Sequence, residues 1–393
     1  MMTSCLSSEC SSTKELAFLE AGDTIYLTVD KETYYGSKAM FQFEDEKGNE
    51  FLFLQNRGDQ GTPSILIYNL SDCSVTKKIP LFREGPNGIP AIYGGTALDA
   101  SHFLVTTDSP HFYIVNDKGE ILFRSPGLYD RKKGFGTFCT THVMSYYHQP
   151  AILRDSLLYF SQTHIGYPHR KDTWRTSNIF AVADLRSGQL HPLPMSYPSI
   201  FDKEEIMRTL SYDRGFSYAD TGKEVAVSFN KSDSIYVSSD FLHVRSYKAQ
   251  SRYFPSLHPE PYYAQTDLEA RLRRESLKPQ YHHLLYDKYR KVFYRFALHP
   301  YEWPKTKSPM SGEDNGREFS ILILDEQYQL IGETKFPAYQ YAYHYYFIGK
   351  EGLYVSLNNP DNPLFSEDEL IFQCFRLKKN GVFTTDYYSI FYR

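Results

Sequence analysis

Four histidines, His142, His164, His282 and His344, each stand beside a segment of strand character. Imidazole can act as acid, base or metal ligand near neutral pH. Two tryptophans, Trp174 and Trp303, fall in long connections, and Arg83 and Asn87 lie in a Gly-Pro-rich turn. Together these residues form a candidate ligand-binding set. The aromatic faces would stack, and the N–H and C=O groups would set direction. The spacings point to no particular reaction. HExxH, G-x-S-x-G and phosphate-loop motifs are absent. His282 and His283 are adjacent, so an unbroken strand turns them to opposite faces and only one reaches a central channel. No metal and no cofactor is expected on this pattern.

The elements that must position these residues are short and β-rich. The 393 residues include 34 Tyr, 28 Phe and 2 Trp, or 16% aromatic, a bias that favours pleated, half-buried surfaces. Leu284–Phe296 shows the unit: an apolar run, a polar turn at Asp287–Lys291, and a second apolar run. That is an antiparallel hairpin. Inner hairpins of this kind start at Phe41, Thr96, Ala151, Ser217, Leu284 and Tyr346. Each is followed by an outer pair, from Ile65, Phe112, Ile179, Ile235, Ile321 and Ile371. Six units of two hairpins predict an all-β, six-bladed β-propeller with four-stranded blades. The sixth outer pair is short. The orphan strand Thr24–Asp30 is expected to complete it beside Ile371–Leu377 and close the ring, which removes two open sheet edges. Residues 1–15 read as a polar tether and 16–393 as one domain. Helical insertions are expected at Asp202–Leu210 and Thr266–Lys278, the second with a capping box led by Thr266 and Glu269.

Turns within hairpins are short, whereas the long connections all emerge on the opposite face. Long loops cost ordering entropy and usually persist for a use. The long-connection face is therefore the expected binding face, with Trp174 and Trp303 as wall and His142, His282 and His344 as floor. The competing reading is that these rings only cover the end of the core.

Charge excludes some partners. With 43 basic and 47 acidic residues the net charge is −4, and no basic block suggests nucleic acid. No apolar run reaches the roughly 20 residues of a membrane span. Five scattered cysteines imply neither a disulfide framework nor a zinc site.

Met2-Thr3-Ser4-Cys5 has the form of a lipobox, an apolar residue and two small ones before the cysteine that receives lipid. The basic start and apolar core of a signal do not precede it here. Either the natural start lies further upstream, in which case Cys5 is the expected lipid attachment point, or the match is chance.

Arg83-Glu84-Gly85-Pro86-Asn87-Gly88 resembles the E-G-P-x-G linker of TolB-like six-bladed propellers of bacteria. With Tyr286-Asp287, Tyr294-Arg295 and the lipobox, the chain is similar to domain-of-unknown-function family 4221 over residues 15–393. The resemblance implies a lipid-anchored protein of the bacterial cell envelope, in the periplasm or at the outer membrane. It carries over no catalytic residue. The expected role is non-enzymatic binding of carbohydrate, peptide or another envelope protein, with membrane contact only through the lipid anchor. The alternative is a hydrolase or lyase using His, Arg and Tyr groups in the central funnel.

Overall fold

The computed structural model describes residues 16–33, 37, 39–58, 62–109, 111–128, 143, 145, 146, 148–162, 178–201, 215–257, 267–309 and 316–379. These form six four-stranded antiparallel sheets. Blade one is β2 (Met40–Glu44), β3 (Glu50–Asn56), β4 (Ser64–Asn69) and β5 (Ser74–Pro80). Blade two is β6 (Ile92–Ala97), β7 (His102–Thr107), β8 (Phe112–Asn116) and β9 (Ile121–Arg124). Blade three is β10 (Ile152–Arg154), β11 (Leu157–Ser161), β12 (Asn178–Asp184) and β13 (Leu190–Ser196). Blade four is β14 (Phe216–Asp220), β15 (Val225–Phe229), β16 (Ser234–Ser238) and β17 (Arg245–Lys248). Blade five is β18 (Gln280–Asp287), β19 (Val292–Leu298), β20 (Phe319–Asp325) and β21 (Leu330–Phe336). Blade six joins β22 (Ala342–Ile348), β23 (Leu353–Ser356) and β24 (Glu369–Lys379) to the first strand, β1 (Ala17–Thr28).

The ring closes as the sequence predicts. Thr24 pairs with Gln373 and Tyr26 with Ile371. The strand also begins earlier than Thr24. After a register shift between Ala21 and Thr24 it continues back to Ala17, which pairs with Lys379. β1 also touches blade five: Leu16 N–H donates to the Ile331 carbonyl and Leu19 N–H to Thr334 Oγ1. Here Gly332 admits the chain, because a Cβ at this position would fall on the carbonyl oxygen of Ala17.

Six apolar clusters hold the ring, one between each pair of neighbouring blades. Central strands are therefore covered on both faces. β19 is buried at every residue, whereas the outermost β5 is mostly exposed. This explains why the central strands read as continuous apolar runs and the outer ones as polar.

Arg295, in β19, is fully buried between blades four and five. Its guanidinium donates to Ser228 Oγ at 2.9 Å and to the Ala249 and Ser232 carbonyls at 2.7 and 2.6 Å. It lies 3.5 Å from the Tyr281 ring centroid. Burial brings its pKa down to about 10, so it stays cationic at neutral pH.

The helix α1 (Leu268–Ser276) lies within the second expected insertion. Its cap is Asp267, whose carboxylate accepts from Glu269 N–H, while Thr266 lies outside the described residues. The first expected insertion, 202–210, lies outside the described residues, as do residues 1–15. No helix among the described residues is long and apolar enough to cross a membrane.

Candidate functional site at the axial end of the long connections

Contacts between blades that are not neighbours mark the axis. The Tyr289 hydroxyl of blade five donates to Glu44 of blade one at 2.6 Å, although blade six stands between them. Lys288 reaches the same carboxylate at 2.5 Å. Gln42 donates to the Tyr289 oxygen at 2.9 Å and to Glu50 at 3.1 Å. Arg290 holds Asp287 and donates to the Gly349 and Lys350 carbonyls. These groups follow the ends of the first strands, at the short turns. Hydrogen bonds from Lys288 and Tyr289 lower the Glu44 pKa to about 2. This end of the axis is an ion-paired plate.

The opposite end is built of rings. His282 and His283 do not alternate as an unbroken strand requires. The register of β18 on β19 shifts between Tyr281 and Leu284, which leaves both histidines in a bulge. Their ring centroids are 3.9 Å apart, and His282 Nδ1 lies 3.0 Å from Nδ1 and 2.7 Å from Nε2 of His283. The strict alternation expected of the pair therefore does not hold here. β22 is displaced in the same way: Ala342 pairs with Ser356, and the next pair is Tyr346 with Val355. Tyr343, His344 and Tyr345 sit in that interruption. The His344 ring comes within 5.6 Å of His282 and 6.4 Å of His283, centroid to centroid.

Blade three contributes from across the axis. Ser145 and His148, just before β10, link to its neighbours: Gly95 N–H donates to the Ser145 carbonyl and Tyr218 N–H to that of His148. The His148 ring stacks on Tyr146 at 5.8 Å and lies 6.3 and 5.9 Å from His282 and His283. Tyr146 meets Tyr93 at 5.2 Å, and the Arg57 guanidinium lies 5.5 Å from the Tyr93 centroid. Tyr93 also occupies a register shift, between Ile92 and Gly94 of β6. A wall of rings thus runs from blade two through blade three to blades five and six. It lies at the starts of the first strands, where the long connections enter.

Of the residues singled out from sequence, His282 and His344 meet here. Trp303 does not form an exposed wall. It is 8% exposed, packs edge-on against Tyr301 at 5.3 Å, and its carbonyl accepts from Arg273 of α1. Asn87 Oδ1 accepts from Ile121 N–H, which fastens the Gly-Pro turn to the outermost strand of blade two, away from the axis. The turn depends on Gly85, whose φ is +84°. Arg83 is exposed and donates to the carbonyls of Arg57 and Gly58 at 3.4 and 3.5 Å. His142, His164, Trp174 and Cys5 lie outside the described residues. Sequence reasoning set His283 aside and did not assign Tyr93, Tyr146, His148 or Tyr343 to the floor. The signal available was the unusual density of His and Tyr at the starts of first strands.

Fold and site together define a six-bladed propeller whose axis is ion-paired at one end and ring-lined at the other. The chain belongs to the domain of unknown function family DUF4221, whose model matches residues 15–335. It is 34% identical to a DUF4221 member from Bacteroides vulgatus of known crystal structure. That match covers 93% of this chain and 99% of the other, with a TM-score of 0.84. Two more distant solved structures share about a tenth of the sequence. Virginiamycin B lyase from Staphylococcus aureus is 10% identical, with a TM-score of 0.42 over 90% of this chain and 99% of that one. A PQQ-bound aldose sugar dehydrogenase from Streptomyces coelicolor is 11% identical, with a TM-score of 0.42 over 91% and 99%. No curated protein sequence matches the chain.

Proposed function

We propose that this protein is a binding propeller that takes a small polar ligand, of carbohydrate or peptide type, at the axial end of its long connections. The observation that carries this reading is the paired interruption of β18 and β22, which gathers His282, His283 and His344 in one place. Bulges that re-aim side chains are built features rather than accidents of pairing. Stacking surfaces at Tyr93, Tyr146 and Tyr343 suit the faces of sugars or peptide groups, and the imidazoles supply direction.

The test is an array of glycans and peptides presented to the full chain, followed by Tyr93→Ala. A ring anchoring a ligand costs about 2 kcal/mol or more on truncation, roughly thirty-fold in affinity. Thirty-fold weaker binding with an unchanged melting temperature supports the reading. A ligand held at the Glu44–Tyr289 end would overturn it.

A hydrolase or lyase is the second reading. It is favoured by the His282–His283 pair, whose ring nitrogens lie within hydrogen-bond reach, as an acid–base couple requires. Turnover of any ligand found in the array, abolished by His282→Gln, would select it.

For location, we infer attachment to the bacterial cell envelope through lipid on Cys5. The support is the Met2–Cys5 sequence, and its test is fatty-acid labelling of a precursor extended upstream. A Cys5→Ala variant that still partitions with membranes would contradict it.

A further inference from the structure

We propose that His282, His283 and His344 hold a divalent first-row transition-metal ion. The inference rests on the axial ring-lined end being the binding end, and it supplies that end with a Lewis-acidic anchor. Each histidine offers one ring nitrogen, and these three nitrogens all lie within 4.8 Å of one another. Among the described residues this is the grouping of three or more His, Cys, Asp or Glu able to share an ion.

The distances suit metal binding. Zinc–imidazole bonds of about 2.0–2.1 Å in a tetrahedron put neighbouring nitrogens ~3.3 Å apart. The His282–His283 separations of 2.7 and 3.0 Å lie just inside that spacing, and the widest separation needs to close by roughly 1.5 Å. Small rotations of the imidazoles about their side-chain torsions cover such changes.

The backbone supports the same conclusion. Two neighbouring histidines on a regular strand diverge, and only a bulge brings both to one point. A second strand, β22, is interrupted at the residue that completes the set. The two interruptions are separate, one in each of two neighbouring blades, and they converge on three imidazoles. His283 is fully buried, with Phe296 at 5.3 Å and Tyr346 at 4.8 Å, centroid to centroid. Tyr343 covers His344 at 3.9 Å and His282 at 5.6 Å. An apolar shell of this kind limits water and strengthens ligation.

Ligand type sets the class of ion. Imidazoles without carboxylates suit zinc, cobalt, nickel or copper, and not magnesium or calcium. Three protein ligands leave a fourth position open, as in sites that bind a further group rather than purely structural ones. That position would take water or an oxygen of the ligand.

The experiment uses the full chain after chelation, titrated with Co²⁺ and, separately, Zn²⁺, with no organic ligand present. One equivalent of Co²⁺ should bind and give the visible absorption of a low-coordinate imidazole site. The Zn²⁺ absorption edge should show a first shell of three imidazoles. His344→Ala should weaken binding by more than about 100-fold, beyond the 10–100-fold typical of groups that merely orient a ligand. His243→Ala, at an exposed histidine elsewhere, should change nothing. If His344→Ala does not fold, His282→Asn and the wild-type absorption edge decide the matter. No binding by wild type, a first shell without imidazole, or unchanged affinity in the folded variant would overturn the proposal. The organic-ligand reading is tested on chelated protein, so either proposal can fail while the other stands.

Discussion

The two ends of the axis are made by the same first strands and differ in almost every physical respect. At the short turns the strands keep register, Asp287 accepts from the Tyr289 and Arg290 N–H groups to shape the turn, and opposite charges meet across the axis. At the long connections β6, β18 and β22 all lose register within their first residues, and aromatic and imidazole rings converge. Regular pairing with compensated charge makes one end a clasp that stabilises the ring. Broken pairing collects His and Tyr rings at the other end, which is the proposed site. In a repeat fold, the end where the repeat is broken is the one to test first for a ligand.

The largest effect should come from removing what both ends share. Deleting residues 1–28 removes β1 and reopens blade six. Leu19 and Leu27 are buried, and each carries about 1.5–3 kcal/mol of burial. Denaturant unfolding should show loss of the whole cooperative transition. Unchanged unfolding would mean that closure does not hold the ring.

Arg295→Met comes next, because it strips a buried cation from the carbonyls of Ala249 and Ser232. A loss of about 3–5 kcal/mol is expected. Arg295→Lys should not restore it, since an ammonium lacks the planar fork. Recovery by lysine would show that charge alone, not fork geometry, joins blades four and five.

Acid should then separate the two ends. His299, on the connection after β19, is held at a pKa of about 4, chiefly by burial and further by Lys335. The unfolded chain takes up this proton near pH 6.5 and the folded chain only near 4, so stability falls as pH drops through that window. Glu44 has the same sign lower down. Its carboxylate keeps its charge to about pH 2 when folded, against about 4.5 when unfolded, so its contribution disappears between those values. His299→Gln should flatten the upper part of the stability profile and Glu44→Gln the lower part. If Glu44→Gln left the low-pH limb unchanged, the short-turn plate would not be a clasp.

The smallest effect on stability should be at the site itself. Tyr93 is half-buried against Tyr146, and in Tyr93→Ala the melting temperature should stay within a few degrees of wild type while ligand affinity falls.

Much of this frame was legible in the sequence because its determinants are local. Alternation within strands and Asp-led turns gave six paired hairpins, and the lone strand at Thr24 identified the closure. The site was less legible because alternation assumes unbroken register. A bulge at His282–His283 follows from how β18 meets β19 and from what the neighbouring blades leave open. Trp303 was hidden for a related reason. Its ring packs against Tyr301, and Arg273 of α1 reaches its carbonyl from 30 residues away. Asn87 lay in a motif that could be read two ways. The hydrogen bond from Ile121, 34 residues along the chain, gives it a structural task.

Difference density from a crystal of the full chain grown with Zn²⁺ and the best ligand of the array tests the central claim most directly. Density is expected among Tyr93, His148, His282 and His344, at the starts of the first strands. Density among Glu44, Tyr289 and Lys350 instead would contradict it.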